Sequence, residues 1–337
     1  MLEHGGLLRR AAQRYGISLE RWIDLSTGIN PHGWPVSAVP AERWLRLPET
    51  GDGLEAAAGA YYGASSLLAV PGTQAAIQAL PRLRPPGRVA VLEPGYDEHR
   101  RAWQAAGHAV IGVCANRLRA GLPAVDVLVL ANPNNPTGER FDRDELTRWR
   151  EELAARGGWL VVDEAFMDAT PGESLAPATG APGLVLLRSV GKFFGLAGIR
   201  VGFVLAAPAL LARLEEAMGP WAVANVSRYV AASALADIPW QREMRRLLLL
   251  ESARLAGLLA GANLRPDGGT ALFQWVKTPH AALAHDFLAR RGILTRLFAA
   301  PPALRFGLPA GAEQWERLAG ALNEWERSMR SPERAME

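Results

Sequence analysis

Residues 189–200 place a lysine in surroundings where burying its charge would be energetically unfavourable. Lys192 stands among glycines and aromatic residues, between apolar runs that are typical of buried strands. Burial lowers the pKa of an amine and prepares it for Schiff-base chemistry. Ser189 and Arg200 add a hydroxyl and a permanent cation that suit a phosphate. The stretch therefore predicts an anchor for pyridoxal phosphate (PLP), with a surface lysine in a glycine-rich turn as the alternative.

Other polar residues follow short apolar runs that are predicted to be strands. Tyr96 follows residues 89–92 and could stack on a planar ring, and Asn135 follows residues 125–130 in the rigid loop N-P-N-N-P-T-G. Asp163 ends the next run, where an unpaired carboxylate would be costly but one facing a pyridinium nitrogen would be paired. Ligands of mostly parallel sheets bind outside the strand ends. We therefore expect these side chains to meet at one site.

A second phosphate contact is predicted where a helix begins. Gly72 and Thr73 precede the alanine-rich and leucine-rich run at residues 75–83. Free backbone N–H groups at a helix start favour an anion, although a Gly-Thr pair there is more often an ordinary helix cap.

Three motifs together resemble the fold-type I PLP enzymes. They are S-x-G-K-x-x-G-x-x-G-x-R, N-P-N-N-P-T-G and V-V-D-E-A, and the resemblance covers essentially the whole chain. It implies that Lys192 holds the cofactor as a Schiff base, that Asp163 pairs with the ring nitrogen, and that Asn135 hydrogen-bonds the phenolic oxygen. It also implies that Tyr96 stacks on the ring. The cofactor phosphate would be held by Gly72, Thr73, Ser189 and Arg200, with Gln74 as a further contact.

The expected fold is α/β, with a large domain whose mostly parallel sheet lies between helices and a smaller α+β C-terminal domain. Short apolar runs alternate with helical stretches up to about residue 205, and long amphipathic helices follow. We predict an N-terminal segment over the active site at residues 1–40, a large PLP-binding domain at 41–215, a small domain at 216–330 and a tail at 331–337.

The N-terminal residues indicate which group of fold-type I PLP enzymes the chain resembles. His4-Gly5-Gly6 followed by D-L-S-x-x-I-N-P-x-G resembles the threonine-phosphate decarboxylases of cobalamin biosynthesis. That resemblance implies PLP-dependent conversion of L-threonine O-3-phosphate to (R)-1-amino-2-propanol O-phosphate, and a cobinamide-phosphate synthase as a candidate pathway partner. Substrate contacts would come from His4, Gly5, Gly6, Asn30, Arg296 and Arg305. A frayed terminus is the alternative for His4, and a transaminase like histidinol-phosphate aminotransferase, which needs a 2-oxo acid, is the alternative function.

Two positions depart from the family pattern. Phe166 stands where the aminotransferases usually carry a tyrosine that donates to the phenolic oxygen, and its loss fits the decarboxylases better. The family motif R-Y-P, whose tyrosine reaches the neighbouring subunit's cofactor, appears here as Arg46-Leu47-Pro48. A homodimer is still implied, but that contact across it is not carried over.

The composition of the whole chain limits the kinds of partner that are expected. The 337 residues carry a net charge of only +3, with basic and acidic residues interspersed, so no nucleic acid is expected. No apolar run approaches the ~18 residues that span a membrane, and no signal peptide is expected. The single Cys114, predicted to be buried, excludes an internal disulfide and fits the cytoplasm. No residue is assigned to a metal, and a non-catalytic PLP-fold binding module remains the alternative class.

Overall fold

The computed structural model describes residues 4–330, so the predicted tail at residues 331–337 lies outside the described part. The contacts divide the chain into two units. The first unit contains the residues up to His32, Pro136–Gly138, and the residues from Arg246 onward. The second unit contains Gly33–Asn135 and Glu139–Arg245. The division falls within the helix Ile238–Gly261.

The second unit is built on a seven-stranded sheet. Its strands are β2 (Leu67–Val70), β3 (Arg88–Leu92), β4 (Ala109–Val113), β5 (Val127–Ala131), β6 (Trp159–Asp163), β7 (Leu184–Ser189) and β8 (Gly202–Ala206). Their order is β2-β8-β7-β6-β5-β3-β4, and only β8 runs antiparallel to its neighbours. The mostly parallel sheet expected from the apolar runs is therefore confirmed. The edge strands β2 and β4 were not predicted, and both are partly exposed in the structure.

Helices flank this sheet and bury its side chains. They are α2 (Glu42–Leu45), α3 (Leu54–Tyr62), α4 (Thr73–Ala79), α5 (Asp97–Ala105), α6 (Ala115–Ala120), α7 (Arg143–Ala154), α8 (Pro208–Met218) and α9 (Asn225–Ala236). Every residue of β5 is buried, as is typical of a central parallel strand covered on both faces. One core cluster joins strand residues such as Val129 and Val161 to Trp103 of α5 and Leu214 of α8.

The topology brings the ends of five strands to one edge of the sheet. The carboxyl ends of β3, β5, β6 and β7 lie at one edge, because these strands are parallel. The strand β8 is antiparallel to β7, with Ser189 opposite Gly202, so β8 begins at the edge where β7 ends. Residues after the parallel strands and residues before β8 are therefore neighbours in space.

The first unit is α+β. An antiparallel sheet has the order β12 (Arg296–Ala299), β13 (Pro302–Gly307), β10 (Phe273–Lys277) and β9 (Gly268–Thr270), and a parallel pair joins β1 (Ile23–Asp24) to β11 (Ile293–Leu294). Its helices are α1 (Leu8–Tyr15), the later part of α10 (Ile238–Gly261), α11 (Ala281–Ala289) and α12 (Gly311–Arg330). A small cluster of Ala11, Trp22, Ala289 and Leu294 packs α1 against this unit.

Two further observations concern the predictions from composition. No helix within residues 4–330 has the length and apolar character needed to cross a membrane. The prediction that Cys114 is buried is wrong, because this residue is exposed. It follows the edge strand β4 at the start of α6, where no neighbouring strand covers it.

Candidate active site

A pocket of about 140 Å³ opens at the strand-end edge of the second unit. It is lined by all nine residues predicted to contact the cofactor: Gly72, Thr73, Gln74, Tyr96, Asn135, Asp163, Ser189, Lys192 and Arg200. They come from the start of α4, the loops after β3 and β5, the ends of β6 and β7, and the loop between β7 and β8, as expected for ligand sites of parallel sheets.

Asp163 is the buried carboxylate of this pocket. Its side chain is buried at the end of β6, and the backbone N–H of Ala165 donates to Oδ1 at 3.0 Å. Its other oxygen, Oδ2, lies 3.1 Å from Nε2 of His99. This histidine was missed in the sequence analysis. It lies three residues after Tyr96, so one turn of α5 places both rings beside the pocket.

Lys192 lies in the loop between β7 and β8, three residues after β7 ends at Ser189. Its Nζ is 5.6 Å from the centroid of the Phe166 ring. The next two residues, Phe193 and Phe194, are fully buried and pack edge to face. The amine is therefore held in the pocket on a loop that is fixed by its aromatic residues.

A second group of lining residues is rich in hydrogen-bond donors. Gly72 has φ +73°, and a Cβ added there would lie 2.6 Å from Nη2 of Arg200. Close approach also explains Gly202, whose added Cβ would lie 2.8 Å from the backbone nitrogen of Thr73. Ser189 lines the same pocket, and its Oγ accepts from the N–H of Gly191 at 3.2 Å. Backbone, hydroxyl and guanidinium donors thus meet where no larger side chain fits.

The polar lining residues together fit PLP. The carboxylate of Asp163 suits a protonated ring nitrogen, and the group of donors suits a phosphate. Lys192 lies in the same pocket and supplies the amine that a Schiff base requires. Tyr96 and Gln74 are neighbours here, with the tyrosine hydroxyl donating to Oε1 of the glutamine at 3.4 Å.

The predicted substrate residues lie in the first unit. A pocket of about 240 Å³ there is lined by His4, Gly5 and Arg296, with Arg10 and His285 beside them. The N-terminal segment is held there by a hydrogen bond from the N–H of residue 6 to Oγ of Ser26, at 2.7 Å. A Cβ on Gly5 would lie 2.2 Å from the carbonyl oxygen of Ser26. Glycine at position 5 is therefore required by close backbone approach, which the frayed-end alternative does not explain.

Gly6, Asn30 and Arg305 lie close in the chain to this pocket but are not among its lining residues. Arg305 is only 7% exposed, and its Nη2 donates to the carbonyl oxygen of Ser26 at 2.8 Å. In the antiparallel register of β12 and β13, Arg305 lies opposite Arg296. Asn30 is buried, and its Oδ1 accepts from the N–H of His32 at 2.8 Å. The reading of Arg305 as an exposed residue on the outer face is thus excluded.

Comparison with known proteins agrees with the family that the sequence motifs indicate. A family model described as aminotransferase class I and II matches residues 21–322. The chain belongs to this family. Among curated members, a threonine-phosphate decarboxylase from Pseudomonas aeruginosa is 55% identical over 96% of this chain and 97% of its own length.

More distant members share the fold. A histidinol-phosphate aminotransferase from Desulfitobacterium hafniense is 29% identical over 91% of this chain and 92% of its own length. The crystal structure of a histidinol-phosphate aminotransferase from Sinorhizobium meliloti in complex with pyridoxal-5'-phosphate superposes with a TM-score of 0.81. It is 21% identical and covers 97% of this chain and 96% of its own. The predicted fold-type I architecture is confirmed by this likeness.

Proposed function

We propose that the protein is a PLP-dependent carboxy-lyase that converts L-threonine O-3-phosphate to (R)-1-amino-2-propanol O-phosphate and CO₂. The observation that carries this proposal is the 55% identity to a threonine-phosphate decarboxylase over nearly the full length of both chains. The pocket of the second unit supports it, because Lys192 and Asp163 lie there together with hydrogen-bond donors that suit a phosphate.

When bound, PLP supplies an aldehyde and a protonated ring that accepts the electron pair left at Cα as CO₂ departs. Asp163 would hold the ring nitrogen protonated, and it is itself held by the N–H of Ala165 and by His99. Tyr96 would stack on the ring, and Asn135 would donate to the phenolic oxygen. The phosphate would be bound by Gly72, Thr73, Ser189 and Arg200.

Lys192 has two roles in the proposal. Its Nζ would anchor the cofactor before substrate arrives, and either this Nζ or a water would afterwards deliver a proton to Cα. The substrate roles of His4, Asn30, Arg296 and Arg305 are carried over from the resemblance and stay predictions. An arginine suits a carboxylate because its planar fork donates two parallel hydrogen bonds.

The decisive experiment is phosphorus NMR of purified protein with PLP and L-threonine phosphate, without a 2-oxo acid. We expect the signal of aminopropanol phosphate to replace that of the substrate. The Lys192→Ala variant is the control, and we expect it to form no product at the same protein concentration. Unchanged substrate with the wild-type protein would refute the proposal.

A histidinol-phosphate aminotransferase is the second candidate, favoured by the 29% identical relative that also covers most of the chain. A transaminase must return the amino group to a 2-oxo acid, whereas the decarboxylase needs no second substrate. Incubation with histidinol phosphate and 2-oxoglutarate tests this candidate. Glutamate formation would establish the transaminase, and its absence beside aminopropanol phosphate formation would exclude it.

We also propose that the protein is a homodimer. Large apolar side chains are exposed in the second unit, namely Trp44, Leu45, Leu47 and Trp221, and Leu45 is 84% exposed. Trp221 lines one pocket with Pro48, the residue after Leu47. Contiguous exposed apolar residues are typical of a protein interface. Sedimentation of the wild-type protein should give twice the chain mass, and Leu45→Glu should shift it toward the monomer. A wild-type monomer at micromolar concentration would refute the dimer.

A further inference from the structure

A buried ion network lies beside the cofactor pocket of the second unit. Arg188 donates from Nη1 to Oε2 of Glu164 at 2.7 Å and from Nη2 to Oδ1 of Asp168 at 2.6 Å. None of the three side chains is more than 2% exposed. Burial alone would lower the pKa of Arg188, but Asp168 and Glu164 raise it above its usual value. The guanidinium therefore stays charged.

The chain connects this network directly to the pocket. Glu164 follows Asp163, and Arg188 precedes Ser189. Successive side chains in extended backbone point to opposite faces, so the ion pair points away while Asp163 and Ser189 line the pocket. The N–H of Glu164 also donates to the carbonyl of Leu187 at 2.9 Å, which continues the pairing of β6 with β7.

Glu164 is held from several directions. Ser174 donates its hydroxyl to Oε2 at 2.5 Å, and the N–H of Leu175 donates to Oε1 at 2.9 Å. On the other side of the pair, the guanidinium of Arg188 lies 4.4 Å from the centroid of the Tyr62 ring. Burial raises the pKa of Tyr62, so this phenol stays neutral. The pair thus has one well-defined geometry.

We propose that the Arg188–Glu164 pair is a positioning device that sets where the ends of β6 and β7 present Asp163 and Ser189 to the cofactor. A buried ion pair adds little net stability compared with apolar residues of the same volume, so stability alone does not explain it. Its fixed geometry instead determines the separation of two strand ends. The proposal rests on the proposed function only in taking PLP as the ligand.

The test compares three variants. Arg188→Met breaks the pair, and the triple variant Glu164→Leu, Arg188→Met, Asp168→Leu replaces the whole network by apolar residues. The control is Arg228→Met, which breaks a second largely buried pair in the same unit, between Arg228 and Asp52 at 2.7 Å. Neither Arg228 nor Asp52 adjoins a cofactor-pocket residue in the chain.

We expect both single variants to lower the thermal stability of PLP-free protein. Only Arg188→Met and the triple variant should weaken PLP binding, by about 10-fold, and shift the pH titration of the Schiff-base absorbance. Their kcat should fall by about 100-fold, as expected for a misplaced reactive group, while KM changes little. In PLP-free protein, hydrogen exchange at the amide of Ala165, which is bonded to Asp163, should accelerate.

A triple variant with wild-type PLP affinity and a wild-type pH titration would overturn the proposal. The proposal would also be overturned if Arg228→Met changed the PLP affinity and the pH titration as much as Arg188→Met does. If Arg188→Met does not fold, the triple variant decides alone. The two proposals fail in different ways. A wild-type protein that binds PLP but forms no aminopropanol phosphate overturns the decarboxylase, whereas the spectra and hydrogen exchange still decide the positioning role.

Discussion

Replacing Gly72 with alanine should weaken cofactor binding through Arg200. Gly72 has φ +73° and ψ 152°, a region almost restricted to glycine, so alanine there costs about 1–3 kcal/mol of folding free energy. The added Cβ would also lie 2.6 Å from Nη2 and 3.1 Å from Cζ of Arg200. That side chain is exposed and can move aside, so the contact costs little folding free energy but displaces the guanidinium.

The expected loss of PLP affinity follows from the displaced guanidinium. One hydrogen bond to a charged group contributes about 1.5–3 kcal/mol, which corresponds to about 10- to 150-fold weaker binding. Gly219→Ala is the matched control. Gly219 has φ 73° and ψ 176°, and an added Cβ would meet no atom within 4 Å. Both variants should lose similar folding free energy, and only Gly72→Ala should lose affinity.

The assay titrates cofactor-free protein with PLP and follows the Schiff-base absorbance, while denaturant unfolding of the same protein reports stability. If Gly72→Ala binds PLP as tightly as Gly219→Ala, Arg200 does not hold the phosphate from its position beside residue 72. Equal losses of affinity in both variants would instead assign the effect to destabilisation of the second unit.

Three further predictions concern other residues. Phe166→Tyr should lower the pKa of the Schiff base on Lys192 by about 0.4–1 unit, since a new donor to the phenolic oxygen favours the deprotonated form; an unchanged absorbance titration would contradict this. Arg305→Lys should raise KM for threonine phosphate about 10-fold with a smaller change in kcat, because the bidentate fork is lost; unchanged steady-state kinetics would remove this arginine from the substrate site. Burial alone would raise the pKa of Asp52, but hydrogen bonds from Arg228 and the N–H of Leu54 lower it. Its carboxylate thus stabilises the fold above about pH 4 and loses this effect as pH falls, so Asp52→Asn should reduce unfolding free energy at pH 6 and show a shrinking difference from wild type below pH 4, measured by denaturant titration.

The gathering of the cofactor residues could be predicted because it depends on local sequence. Each of Tyr96, Asn135, Asp163 and Lys192 follows a short apolar run, and such runs form buried parallel strands. Parallel strands end at one edge, so residues that follow different strands meet there without any knowledge of long-range contacts. The edge strand β4 was not predicted although its sequence A-V-I-G-V is apolar, and in the structure most of its residues are exposed.

Other features could not be predicted, since they depend on which distant residues become neighbours. The sequence shows His99 only as one polar residue of a helix, and the fold places it 3.1 Å from Asp163. Cys114 follows an apolar run in the sequence, but that run is an edge strand and the residue is exposed.

The sequence by itself therefore determined the chemistry that we propose for this protein, because motifs at strand ends specify the lysine, the carboxylate, the amide and the proposed phosphate donors. The tertiary structure decided what surrounds and orients them. Arg188 is one arginine among many in the sequence. Only folding brings to it Glu164 and Asp168, which follow the neighbouring strand β6 in the chain. Burial distinguishes Arg188 from the exposed arginines, since an ionised side chain that is withdrawn from water must be paired within the fold.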